Sequence, residues 1–332
     1  MTRGLHLHVG LPKCGSTAIQ RVLAERRRAL RDRGVDYPRL IDRPIGNLTP
    51  YVLAQRPAET QSLFRMNNPR VDLAATGDAL RAALDGSGAP QMILSSEALS
   101  HPLYPVRLDW MFARFDEVQV HLFLRPRPDW VLSHFSQRIR TGGFQGDLDA
   151  LVNAEDTSDG LRRMLRYSDH VAFWERCAGP GTVRLHFLGE RFGPPARQFL
   201  DAIGCADLAG ETGQLRANEG LTAFELCVLS HLPRRDQRGF LAKSHKVRAI
   251  AARFDPAPGA ALLTDALRQR IEDMTGDDTA RLLAMQDRIT AGDMAPATPD
   301  ARPQTSFGDL TASAAFADCV AALKAEGLWQ PP

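Results

Sequence analysis

Short runs in which apolar and polar residues alternate are separated, in the first two-thirds of this chain, by stretches in which apolar residues recur at helical spacing. The first run, "LHLHV" (5–9), has the period-two pattern of a strand. From Ser16 the period changes. Ile19, Val22, Leu23 and Leu30 predict a helix that Gly34 ends. Residues 41–70, rich in proline, asparagine and polar groups, read as loop with short helices. A helix over about 73–85 leads through the turn signal "DGSGAP" to a buried strand, "QMILSS" (91–96). A helix over "VRLDWMFARF" (106–115) precedes a second interior strand, "VQVHLFL" (118–124). "RPDWVLSHFSQRIR" (127–140) has helical spacing at Trp130, Val131, His134, Phe135 and Ile139, with a proline in its first turn where proline is tolerated. "GTVRLHFL" (181–188) is a fourth strand, and "PPARQFLDAIG" (194–204) a helix closed by Gly204.

Strands alternating with helices predict an α/β fold: a parallel β-sheet flanked by helices. From about 215 the pattern is helical, broken by "RFDPAPGA" and "AGDMAPATPDARPQT". The expected organisation is one domain over 1–332, with an α/β core to about 210 and a mainly helical region over about 211–332. The alanine-rich segment "LTASAAFADCVAALKAEGLW" is amphipathic, but its polar face is not basic. It reads as a packing helix rather than a membrane-binding one.

Composition changes this picture little. With 44% hydrophobic and 24% charged residues among 332, the chain is an ordinary globular protein. A net charge of +2 argues against a nucleic-acid partner, while leaving room for a local basic pocket. Five scattered cysteines with no C-x-x-C pair fit neither a disulfide framework nor a structural zinc site. The N-terminus shows no apolar signal segment, and no run of about 18 apolar residues predicts a transmembrane segment. A cytoplasmic location is expected. The arginine run Arg26–Arg28 reads as the solvated face of the first helix.

The chemistry concentrates in "HVGLPKCGST" (8–17). Gly10 and Gly15 keep the glycine spacing of the nucleotide-triphosphate loop G-x-x-x-x-G-K-[ST], but Ser16 stands where that pattern has lysine. The lysine, Lys13, lies inside the loop. Strand, glycine loop and helix still form the opening unit of a P-loop fold. Successive backbone N–H groups and the helix N-terminus can hold an anion there, and Ser16 and Thr17 add hydroxyl donors. Lys13 at the crown would reach the end of a shorter anion, where a leaving phosphate develops charge.

"HVGLPKCGSTAIQRVL" resembles the 5′-phosphosulfate loop of sulfotransferases that use 3′-phosphoadenosine 5′-phosphosulfate (PAPS), which typically reads P-K-[TS]-G-[TS]-[TS]. The resemblance implies PAPS as sulfuryl donor, held by Pro12, Lys13, Cys14, Gly15, Ser16 and Thr17, with Lys13 near the bridging oxygen. It implies no requirement for metal. Cys14 departs from the family's threonine or serine. A thiol at a helix N-terminus beside a lysine can have a lowered pKa, although a small residue tolerated in the loop is the simpler reading. The family's second fingerprint is a strand ending in arginine with a serine eight positions on, gripping the 3′-phosphate. It falls on Arg125 and Ser133, with Arg127 as a second candidate guanidinium.

Transfer to a hydroxyl needs a group that takes the acceptor proton. Glu97, ending the strand "MILSSE", resembles the carboxylate base of carbohydrate and tyrosyl-protein sulfotransferases; His101 is the second candidate. A helix cap or ion pair is the structural alternative for Glu97, and a loop histidine for His101. Tyr167 and Trp174 read as packing residues, and Asn218 as a weak site candidate. Residues 141–166 are expected to form part of a lid over the acceptor, a small-molecule or saccharide hydroxyl. The oligomeric state is not readable. The alternatives to a PAPS-dependent sulfotransferase are a P-loop kinase or nucleotide hydrolase with a degenerate loop, and a non-catalytic nucleotide-binding protein.

Overall fold

The computed structural model describes residues 2–40, 46–58, 61, 71–100, 107–153, 155–189, 192–210, 220–233, 236–286, 289–294 and 303–330. Five strands form one sheet: β1 (Gly4–Gly10), β2 (Val35–Asp36), β3 (Gln91–Ser95), β4 (Glu117–Leu124) and β5 (Val183–Phe187). Their order is β2-β3-β1-β4-β5, and every pairing is parallel. The sheet is flanked by helices, as the alternation of periods predicts. Residues group into two compact units that interleave in sequence. The first comprises Met1–Pro126, Arg166–Leu215 and Asp277–Ala295, and the second Arg127–Leu165, Arg216–Gly276 and Pro296–Pro332.

In the first unit β1 is central, paired to β3 on one side and β4 on the other. Leu5, Leu7 and Val9 pack one face with Val120, Leu122 and Leu124, all nearly inaccessible to solvent. The opposite face is also buried, which the alternating pattern of "LHLHV" does not reveal. It carries His8, His121 and His186 with Phe123, and Phe199 from the helix Pro195–Ala202 sets its ring edge against His8 and His121. His6 Nδ1 lies 3.1 Å from His121 Nε2, and His121 Nδ1 lies 3.1 Å from His186 Nε2, so three imidazoles bond in a row across β1, β4 and β5. Burial pushes His8 and His186 down to about 3, and His121 well below its ordinary 6.5; His6 is lowered as well. His8, His121 and His186 are core histidines, and burial favours their neutral form.

The helix expected from Ser16 to Gly34 is two helices, Ser16–Glu25 and Arg27–Arg31, separated at Arg26, whose φ of −95° and ψ of 10° leave the helical well. Beyond the break, Arg27 Nε donates to the Tyr37 carbonyl at 2.8 Å. Gly34, at φ 77°, then turns the chain into β2, which is too short for a period to show. The helices expected over 73–85 and 106–115 are Thr76–Gly86 and the single turn Asp109–Phe112. The helix Tyr167–Ala178 has no cap from its own N-terminal residue. Buried Asp278 supplies one from a distant segment, accepting from the amides of Tyr167 (2.8 Å) and Ser168 (3.2 Å) and from Ser168 Oγ (2.5 Å).

The second unit is helical and includes Arg127–Arg140, Leu148–Asn153, Glu155–Leu165, Ala223–His231, Gln237–Ala251, Asp265–Asp273, Phe307–Thr311 and Ala314–Ala325. Ala223–His231, buried along almost its whole length, opens with a capping box between Thr222 and Glu225. Segment 141–166 contributes two of these helices. Among the described residues, no helix is long and apolar enough to cross a membrane.

The histidine layer sets an acid limit. Because the folded-state pKa values lie below 6.5, the unfolded chain takes up protons that the folded chain refuses once pH falls below about 6.5, so stability declines with acid. At about pH 5 the loss is roughly 2 kcal/mol each for His8 and His186. Urea denaturation at pH 7.5 and 5 should show this fall, and His186→Phe should shrink it. Equal stability at the two pH values would refute the neutral layer.

Candidate functional site

Three adjacent parallel strands, β3, β1 and β4, end on the same edge of the sheet, so the residues that follow them are neighbours by topology. After β1 the chain makes a tight turn: Leu11 N–H extends the ladder to the Phe123 carbonyl, and Cys14 N–H closes onto the Leu11 carbonyl at 3.0 Å. Lys13 has φ 68°, the one positive value at a non-glycine residue among those described. Such a conformation costs about 1–3 kcal/mol outside glycine. Gly15 follows at φ 83°, and a Cβ there would lie 2.6 Å from Pro195 Cγ; the position has no room for a side chain.

The helix Ser16–Glu25 starts without a side-chain cap. The amides of Gly15, Ser16 and Thr17 therefore have no acceptor among the described residues. Three successive free N–H groups at the positive end of a helix are an anion nest. Thr17 is exposed, whereas Ser16 is buried with its hydroxyl unpartnered. Pro12 and Lys13 are half-buried.

Glu97 opens a 3-10 turn, Glu97–Ser100, after β3. That turn is fastened from three directions. Ser96 Oγ accepts from the Ala98 amide and bonds Thr49 Oγ1 at 3.0 Å; buried Arg56 donates to the Ala98 carbonyl at 2.7 Å; Ser100 Oγ donates to the Glu97 carbonyl at 2.7 Å. Solvent reaches the Glu97 side chain, yet the surrounding protein pushes its carboxyl pKa up, and the Lys13 ammonium acts in the opposite sense. Glu97 has no ion-pair partner among the described residues, so the expected alternatives of a cap or pair do not describe it.

Arg125 follows β4 and is half-buried. Its carbonyl accepts from Tyr167 Oη at 2.6 Å, while its guanidinium has no hydrogen-bond or ion-pair partner among the described residues. Tyr167, read from sequence as packing, therefore also anchors the backbone of a candidate ligand residue. The guanidinium and Glu97 both act on Cys14, one lowering and one raising its pKa, so loop, carboxylate and guanidinium share one neighbourhood. Burial outweighs both and pushes the Cys14 thiol far up. Of the two sequence readings of Cys14, burial favours the small residue tolerated in the loop over the reactive thiol, because the side chain is fully buried and its thiol is held protonated.

Arg127 differs from Arg125 in every respect that matters for a ligand. Its side chain is 2% exposed, with Nε donating to the Leu165 carbonyl and Nη1 paired to Glu272 at 3.1 Å. That guanidinium is committed to the helical unit. Ser133, on the helix Arg127–Arg140, is half-buried with no hydroxyl partner among the described residues. Nearby His134 stacks on Trp130 at 4.9 Å and is lowered to about 4 by burial and by Arg138. His101 and Asn218 lie outside the described residues.

Chemically, the end of the sheet offers a backbone anion nest, a lysine, a guanidinium without a partner among the described residues and a carboxylate of raised pKa. It is suited to hold a tetrahedral oxyanion and to accept a proton beside it. Among the described residues, no group of three or more His, Cys, Asp or Glu side chains is placed to hold a metal ion.

No protein-family model matches the sequence, and no characterised protein is significantly similar to it. The fold does find a counterpart. The crystal structure of a sulfotransferase from Alicyclobacillus acidocaldarius superposes with a TM-score of 0.51, over 89% of this chain and 100% of that one, at 16% sequence identity. At that identity the likeness is one of architecture: the chain has a sulfotransferase-like α/β fold.

Proposed function

We propose that this protein is a PAPS-dependent sulfotransferase acting on an acceptor hydroxyl, of a saccharide or another hydroxylated small molecule. The observation that carries the reading is the pairing at the strand ends of a lysine-crowned anion nest with a carboxylate, Glu97, whose pKa its surroundings raise and the Lys13 ammonium lowers. The fold likeness supports it. The donor fits the residues present: the free amides of Gly15, Ser16 and Thr17 and the orphaned Ser16 hydroxyl suit its 5′-phosphate. Arg125, whose guanidinium has no partner among the described residues, suits its 3′-phosphate.

When bound, the donor supplies a sulfuryl group, and its departure leaves negative charge on the bridging phosphate oxygen. Lys13 neutralises that charge, and the nest holds the phosphate still. Glu97 takes the acceptor's hydroxyl proton as the acceptor oxygen forms its bond to sulfur. The products are a sulfate ester, adenosine 3′,5′-bisphosphate and a protonated Glu97 that returns its proton to water. The raised pKa of Glu97 makes it a better base than an ordinary carboxylate, and Lys13 limits how far it rises.

Adenosine 3′,5′-bisphosphate without magnesium should raise the melting temperature by several degrees, and ATP with magnesium should do little. The opposite preference would favour a kinase or hydrolase and overturn the reading. With labelled PAPS and an accepted hydroxyl, Glu97→Gln should cut turnover about 100-fold and leave bisphosphate affinity within about twofold. The wild-type rate should fall as pH drops through a carboxyl pKa above 4.5, because the base must be ionised and burial raises it. Full activity of Glu97→Gln would place the base elsewhere, with His101 next to test.

A further inference from the structure

Behind the loop lies a chain of buried polar groups that the reaction outlined above does not use. Asn47 Nδ2 donates to the Pro38 and Ile93 carbonyls, which fixes its amide so that Oδ1 accepts from Ser95 N–H at 2.8 Å. Ser95 Oγ receives Gln20 Nε2 at 3.2 Å and lies 2.7 Å from His8 Nδ1. All four residues are buried, His8 and Ser95 completely. With Gln20 donating into Ser95, the Ser95 hydroxyl proton is left for His8 Nδ1, and a neutral imidazole then carries its own proton on Nε2. Burial keeps His8 neutral down to about pH 3.

His8 Nε2 is buried with no partner among the described residues, and so is Ser16 Oγ. Both flank the bare Cα of Gly10, where a Cβ would lie 2.6 Å from Ser16 Oγ and 3.3 Å from His8 Nε2. Two orphaned polar atoms that both border the Gly10 Cα beside an anion nest, and do not bond each other, are a costly arrangement unless a bound state uses them. We propose that His8 is a positioning residue for the nest: when the ligand binds, its Nε2–H donates to Ser16 Oγ, a bond not made in the empty site, and this turns the Ser16 hydroxyl proton outward to a phosphate oxygen of the ligand. The relay runs from Gln20 through Ser95 and His8 to Ser16, and each member donates to the next. Gly10 is required because any side chain would part the last two. This inference deepens the donor-binding reading and rests on it for the identity of the anion.

The test compares adenosine 3′,5′-bisphosphate with adenosine 3′-phosphate, which lacks the group that Ser16 serves. His8→Phe should lower the affinity ratio of the two about tenfold and leave adenosine 3′-phosphate binding unchanged. In a Ser16→Ala background, His8→Phe should change the ratio less than twofold, since the two residues act in series. Nitrogen-15 NMR of wild-type protein should show His8 protonated on Nε2, a readout that survives if a variant fails to fold. Equal weakening of both ligands, additive effects in the double variant, or a proton on Nδ1 would each overturn the proposal. Wild-type protein that binds inorganic pyrophosphate but no nucleotide would defeat the donor reading alone; the His8→Phe loss should then appear with pyrophosphate, and its absence would defeat the relay too.

Discussion

The site depends on one constraint: β1 is hydrogen-bonded on both sides by parallel strands. A strand so placed is buried on both faces, and its carboxyl end must leave the sheet between the ends of its neighbours. The loop at Leu11–Gly15 therefore emerges beside the residues that follow β3 and β4, and Glu97 and Arg125 join it without further arrangement. The same burial dictates that the polar side of β1 be uncharged. Histidine meets that demand as a neutral ring that both donates and accepts, so a row of imidazoles satisfies itself across three strands.

Electrostatics at the site follows from which charges are already engaged. Arg125 and Arg127 are two residues apart and chemically identical, but Arg127, itself buried, has a half-buried carboxylate partner, Glu272, whose own pKa desolvation raises and Arg127 lowers. Separating such a pair would leave a buried charge uncompensated, at about 3–5 kcal/mol, so Arg127 is not available to a ligand. Among the described residues Arg125 has no such attachment and is held by its carbonyl instead. The small net charge of the whole chain says nothing of this, because it averages engaged and unengaged groups alike.

What the sequence disclosed was local. Gly10, Lys13, Gly15 and Ser16 lie within seven residues, and the period change at Ser16 marks the strand-loop-helix unit around them, so loop and class of fold were legible together. Glu97 was legible as a residue at a strand end. The unread features depend on distant partners or on elements too short to repeat. Nothing near Arg127 announces Glu272, 145 positions on, and nothing near Tyr167 announces Asp278. β2 has only two residues, and the break at Arg26 interrupts an otherwise continuous helical period. The alternation around His8 left the surroundings of its face unread, because alternation cannot distinguish a face covered by water from one covered by Phe199.

Cys14 becomes intelligible on the same terms. A threonine or serine at a fully buried position would bring a hydroxyl that needs a partner, and the nearby charges, Arg125 and Glu97, are the groups a ligand and an acceptor would use. A thiol fills similar space, tolerates burial with weak hydrogen bonding, and is kept protonated by its surroundings. The chemistry of the loop at this position then rests on the backbone, which a cysteine leaves intact: its amide closes the turn onto Leu11, and the next three amides have no acceptor among the described residues. Substituting the side chain there alters packing and spares the nest. The departure from the family's pattern at Cys14 is therefore compatible with a working anion site, whereas a departure at Gly15, pressed against Pro195, would not be.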